Sequence, residues 1–114
     1  MKYVFLKTRF EGFHRYLGAK EQVSYLRDIH RHMFYVKFQI EVFDNDREIE
    51  FIELKHQVEQ FIKQIQNEEK AIEYSCETYA EKIIEKVKEL YNRKMICEVS
   101  EDDENGAIIE YSGV

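Results

Sequence analysis

"HRHMFYVKFQIEVF", residues 30–43, decides how the chain folds. His30, His32, Phe34, Val36, Phe38, Ile40 and Val42 share one parity, and after the two histidines every member is apolar. Arg31, Tyr35, Lys37, Gln39 and Glu41 hold the other parity and are mostly polar. Side chains alternate across a strand with a period of two, so this stretch predicts a strand with one face in a core and the other wet or lining something.

Working outward, "KYVFLKTRFEGF" at 2–13 is rich in aromatic and β-branched residues, with Val4, Leu6, Thr8, Phe10, Gly12 and His14 on one parity. It predicts a long first strand with a kink at Gly12. Residues 15–29, "RYLGAKEQVSYLRDI", break both periods and read as a loop with one helical turn at Lys20 to Tyr25. Downstream, "DND" at 44–46 signals a turn and "REIEF" at 47–51 a short third strand. From Ile52 the period changes: Leu54, Val58, Phe61, Ile62 and Ile65 fall at helical spacing, as do Ala80, Ile83, Ile84, Val87 and Tyr91 after a polar break. Ser75 is placed to cap the second helix, with Glu77 in its first turn. "KMICEVSE" alternates again, Asn105-Gly106 in "DDENG" reads as a hairpin turn, and "AIIEYSG" closes the chain as a last strand.

The expected order is therefore β-β-β-α-α-β-β, an α+β domain spanning residues 1–114 with two helices on one face of an antiparallel sheet. A small sheet must manage its long edges, and pairing them around an oligomeric ring or barrel would do so. Hydrophobic residues make up 44% and charged ones 35%, a globular rather than a disordered balance.

The net charge of −6 disfavours a sequence-blind grip on nucleic acid, which needs a cationic surface. With no long apolar run, no leader-like segment and two cysteines, Cys76 and Cys97, the chain reads as a cytoplasmic protein with free thiols and no membrane partner.

His30 and His32, two apart on a strand, project from one face roughly 6.5 to 7 Å apart at the backbone. That suits two ligands of one ion. His14 from the neighbouring strand would complete a three-nitrogen zinc site with an open fourth position, and three neutral imidazoles would leave the ion's full charge for Lewis-acid work. The plain alternative is three buried histidines satisfied by their neighbours.

Five segments in order carry a resemblance. "FEGFH" ends the first strand with His14, and "HRHMFYVKFQIEV" opens the second with His30 and His32. "IEFIELKHQVEQFI" leads into the first helix and "SCETYAE" begins the second, while "CEVSEDDENGAIIEY" covers the last two strands. In these pieces the chain resembles, over nearly its whole length, the 6-pyruvoyl- and 6-carboxytetrahydropterin synthases of the tunnelling fold. The resemblance implies that His14, His30 and His32 bind zinc. It also implies that Glu101, with Glu98 as the other register, anchors the cyclic amidine edge of a pterin or purine through a bidentate charge-assisted contact.

The departures are equally specific. The family's catalytic cysteine precedes the His-x-His motif, where "YLRDIHRH" has Leu26 and Arg27. Its second catalytic group, a histidine after the first helix, has no counterpart in "QIQNEEKAIEYS". The remaining histidine, His56, reads as a solvated helix-face residue. Cys76 at a helix N-terminus is a candidate for a lowered pKa but lies outside the family's pattern, so a structural role is expected for it. Arg31 replaces the motif's glycine, and with Arg15, Arg27 and Lys37 it would form either a cationic rim suited to phosphate or carboxylate or simply a scatter of surface cations. The acidic run in "SEDDENGA" lacks EF-hand spacing, which disfavours calcium.

The expectation is thus a homo-oligomeric, non-catalytic tunnelling-fold protein that sequesters or senses a purine- or pterin-like small molecule, including a nucleotide. A divergent zinc-dependent lyase of the pterin synthase type and a structural assembly subunit are the alternatives.

Overall fold

Parity carries from strand to strand through the sheet. In the computed structural model, which describes residues 1–113, β1 (Lys2–His14) pairs antiparallel with β2 (His30–Val42) along its full length, from Lys2 opposite Val42 to His14 opposite His30. β3 (Met95–Glu101) pairs with β2 and β4 (Asn105–Tyr111) with β3, giving one four-stranded antiparallel sheet in the order β1-β2-β3-β4. Between β2 and β3 the chain forms α1 (Phe51–Gln66) and α2 (Cys76–Lys88), with short 3-10 segments at Glu21–Arg27 and Ala71–Glu73. No helix among the described residues is long and apolar enough to cross a membrane.

Both helices lie on one face of the sheet because each has a single apolar stripe to bury. Leu54, Val58, Ile62 and Ile65 of α1 and Tyr79, Ala80, Ile83, Ile84 and Val87 of α2 are buried against Leu6, Phe34, Val36, Phe38, Ile40, Met95, Cys97 and Val99. Burying each large side chain of this set contributes about 1.5 to 3 kcal/mol, which fixes the strand register as well as the helix positions. Ser75 caps α2 as expected, its hydroxyl accepting a hydrogen bond from the Thr78 N–H at 3.1 Å.

Three local expectations are corrected. "REIEF" is not a strand, so the order is β-β-α-α-β-β: one Glu48 oxygen accepts from the N–H groups of Phe43 and Asp44, and the Glu50 carboxylate caps α1 by accepting from Ile52. Those local bonds satisfy the backbone of this stretch without a strand partner.

At Gly12 the expected kink leaves no mark on the pairing, and β1 stays in register with β2 through this residue. A side chain there would bring its Cβ to 2.8 Å from the Phe34 ring, which stacks on Phe10 at 5.0 Å, so the glycine makes room for a cross-strand aromatic pair. The β3–β4 turn occupies residues 102–104, ahead of Asn105-Gly106, which lie in β4. Glu101 pairs with Asn105, and the reversal is made by Asp102 and Asp103 in the left-handed region, at φ 55° and 59°.

The strand lengths differ in a way that positions the site. β3 pairs with β2 only from Phe34 to Ile40, so residues 30–33 of β2, with the end of β1, run past the core. That overhang carries the histidines.

Candidate metal centre

The core parity continues into this overhang and changes chemistry there. His14 extends the inward set of β1, His30 and His32 extend that of β2, and Glu101 extends the Met95, Cys97, Val99 set of β3. All four therefore arise on the helix-covered face, the histidines beyond Phe34 and Glu101 opposite it. Phe34 forms their floor, with ring centroids 5.3 Å from His14 and 6.3 Å from His32.

The three imidazoles meet edge to face, with centroids 4.5 Å apart for His14 and His30, 5.1 Å for His14 and His32, and 4.8 Å for His30 and His32. One ring nitrogen from each lies within 4.8 Å of the other two. The outer nitrogens are all engaged. His14 Nδ1 lies 3.4 Å from the Tyr74 carbonyl, His30 Nδ1 2.8 Å from the Asp28 carbonyl, and His32 Nδ1 2.7 Å from the Asp102 carboxylate. These partners only accept, so each Nδ1 carries the proton and, in a neutral ring, each Nε2 is a bare lone pair. All three Nε2 atoms are buried without a hydrogen-bond partner among the described residues.

That donor set could hold a divalent ion of zinc's type: one nitrogen of each imidazole lies within 4.8 Å of the others, and each ring's tautomer is fixed from outside by an acceptor. Burial lowers the basicity of His14 below the ordinary imidazole value, against the opposing pull of Glu101, which keeps its lone pair free near neutral pH. On the alternative of satisfied core histidines, Glu101 would pair with protonated His14 or His32, and His30 Nε2 would be left without a partner among the described residues.

Asp102 is the residue that sequence reasoning missed. Its backbone N–H donates to the Met33 carbonyl at 2.7 Å, one carboxylate oxygen accepts from the Met33 N–H at 3.1 Å, and the other holds His32. It thus supplies Met33 with the hydrogen bonds that β3 would give had it run further. Those contacts, the His32 bond first, hold its carboxyl below the usual carboxylate range. The acidic run in which calcium was disfavoured divides its labour: Glu101 faces the histidines from inside, Asp102 orients His32 from outside, and Asp103 and Glu104 are exposed.

Glu101 places its Oε1 3.4 Å from His14 Nε2 and its Oε2 3.5 Å from His32 Nε2, with the side chain about one third exposed (32 %). Glu98, the other register, lies on the opposite face of β3 and is exposed.

A cavity of about 570 Å³ opens beside the cluster, lined by His14, His30, Arg15, Cys76 and Glu101 among others. Arg15 is partly buried, and its Nε has no hydrogen-bond partner among the described residues. Arg31 and Arg27 point elsewhere. Arg31 pairs with Glu11 at 3.2 Å on the other face of the sheet, and Arg27 donates from Nε and a terminal nitrogen to the Ala19 carbonyl at 3.1 and 2.7 Å. Within one chain the cationic contribution to the cavity thus comes from Arg15. His56 is exposed on α1, as the sequence predicts.

Cys76 is buried, and burial, then the charges of Glu101 and Glu77, push its thiol up to about 12, so its place at a helix N-terminus does not lower it. A larger cavity of about 650 Å³ at the far end of the sheet is lined by Asp44, Glu48 and Glu50, whose carboxylates already accept backbone N–H groups.

Comparison of the chain with protein-family models and with curated protein sequences returned no match.

Proposed function

We propose that this protein is a divergent relative of the pterin synthases that holds Zn²⁺ through His14, His30 and His32. In this reading it binds a purine- or pterin-like small molecule in the adjoining cavity without carrying out the family's reaction. One observation carries the metal: three buried, unpartnered Nε2 atoms converge while every Nδ1 is committed to an acceptor. Zinc, when bound, supplies a Lewis-acid position for an oxygen or nitrogen donor of the small molecule.

The chain's own residues supply the rest. The cavity volume falls in the range of small-molecule sites. Glu101 is the group for an amidine edge, and the free Nε of Arg15 suits an anionic substituent such as a phosphate. Proton transfer is the weak point of an enzyme reading. The cavity thiol, Cys76, is held protonated near neutral pH by its pKa of about 12, and the cavity's histidines are His14 and His30 of the metal cluster. The outer edges of β1 and β4 have no strand partner among the described residues, which supports edge-to-edge assembly of several copies.

Native mass spectrometry of protein taken directly from cells, with metal quantification, tests the proposal. One zinc per chain and a co-purifying heterocycle are expected, and both should be lost in His30→Ala. Zinc-dependent turnover of dihydroneopterin triphosphate would replace this reading with the lyase. Chains with neither metal nor small molecule would leave the assembly subunit.

A further inference from the structure

The position of Glu101 goes beyond a wall of the cavity. Two neighbouring residues act on His32 from opposite sides: Asp102 at Nδ1, 2.7 Å away, and Glu101 at Nε2, 3.5 Å away. The second contact is too long for a hydrogen bond, and a bare Nε2 has no proton to donate. A carboxylate beside two unpartnered lone pairs is repulsive unless a proton or a metal ion lies among them, and a metal ion serves all three histidines at once. Donors around a tetrahedral zinc, at bonds near 2.0 to 2.2 Å, sit about 3.3 to 3.5 Å from one another. Glu101 Oε1 lies 3.4 Å from His14 Nε2 and its Oε2 lies 3.5 Å from His32 Nε2, each the separation of two donors on one ion, with one carboxylate oxygen turned to each histidine.

The geometry points to Glu101 as the fourth ligand of the metal. The resting site is then a closed three-histidine, one-carboxylate centre, and a small molecule reaches the ion only by displacing Glu101. This rests on the metal reading above and deepens it, because one carboxylate cannot hold the ion and an amidine edge at the same time. Charge supports it: three imidazoles leave a divalent ion's charge uncompensated in a half-buried site, and Glu101 removes one unit of it. The backbone supports it as well. Glu101 is the last residue of β3, opposite Phe34 and two positions from His32, on the inward parity of a rigid sheet.

The test uses the full chain loaded with Co²⁺ in place of zinc, with visible absorption reporting the coordination and azide as the probe of an open position. Glu101→Gln keeps the side chain's shape, Glu101→Ala removes it, and Glu98→Gln on the opposite face is the control. Expected are an azide affinity raised about tenfold or more and a changed cobalt spectrum in both Glu101 variants. A fall in metal affinity of about tenfold or more is also expected, the order seen when metal-site support is lost. Glu98→Gln should match wild type. Unchanged spectra and azide affinity in both Glu101 variants, with cobalt binding still abolished by His30→Ala, would overturn the Glu101 assignment and leave the histidine site standing. Cobalt binding that survives in His14→Ala, His30→Ala and His32→Ala would overturn the metal reading itself.

Discussion

The Asp102 carboxylate accepts a hydrogen bond from His32 Nδ1 at 2.7 Å, and its other oxygen accepts from the Met33 N–H at 3.1 Å. One side chain thereby fixes both the tautomer of a candidate ligand and the backbone beneath it. Asp102 does so from a left-handed backbone conformation, φ 55°, which asparagine and aspartate tolerate better than other side chains. Asp102→Ala is expected to weaken zinc about 10- to 100-fold in a chelator competition, and Asp102→Asn somewhat less, because an amide oxygen still accepts from His32. Equal affinities in all three proteins would remove the orienting role.

Metal removal should be felt in stability. On the proposed reading the ion binds a site that exists only in the folded chain, so free zinc at 100 times its dissociation constant would add about 2.7 kcal/mol, roughly 10 °C in Tm for a domain of this size. Calorimetry with and without excess chelator measures it. His32→Ala should show no zinc-dependent shift.

Gly12→Ala is expected to cost about 1 to 3 kcal/mol by overpacking. Its Cβ would arrive 2.8 Å from Phe34, a fully buried ring held between Phe10 and Tyr79. Since Phe34 is also the floor of the histidine cluster, the same variant should lower zinc affinity. Urea denaturation with zinc and with chelator separates the two effects.

Both thiols should resist modification in the folded state. Cys76 is pushed to about 12 by burial, then by the charges of Glu101 and Glu77, and burial pushes Cys97 higher still. On the order of one Cys76 in ten thousand is ionised at pH 8, so an aromatic disulfide reagent should label neither cysteine quickly until denaturant is added. Rapid labelling of Cys76 in native protein would contradict this.

Acid should weaken the link between the end of β2 and the start of β3. Arg93 donates to Glu48, which also accepts from the Phe43 and Asp44 N–H groups, and these contacts hold the Glu48 carboxyl below its ordinary value. A carboxyl depressed by folding stabilises the native state above its unfolded pKa and loses that contribution as pH falls through its folded pKa. The stability difference between wild type and Glu48→Gln should therefore be constant near neutral pH and shrink below about pH 4.5, the ordinary value. Denaturant titrations from pH 7 to 3 measure the trend.

The legible parts of this molecule were those written as a period. Alternation from Phe34 to Val42, and the helical spacing of Leu54 to Ile65 and Ala80 to Val87, place the sheet and both helices correctly because burial enforces them. Parity also places His14, His30 and His32 on one face, and the structure brings their rings together. Periodicity failed where short-range bonds decide. "REIEF" alternates, yet Glu48 and Glu50 use their carboxylates to close a turn and a helix cap. Asp102 was invisible because nothing in "SEDDENG" reveals that the turn begins three residues before the expected Asn105-Gly106. The direction of Arg27 and Arg31 depended on the nearest acceptors, the Ala19 carbonyl and Glu11, which a sequence does not display.

The shared parity of core and cluster would link folding fidelity to metal capture in the proposed three-histidine site. Sliding β2 by one residue against its neighbours would turn His30 and His32 to the outer surface in the same step that exposes Phe34, Val36 and Phe38. A mispaired chain therefore offers no three-nitrogen trap. Under scarce zinc, the ion would select from a mixed population only those molecules whose strands have zipped correctly.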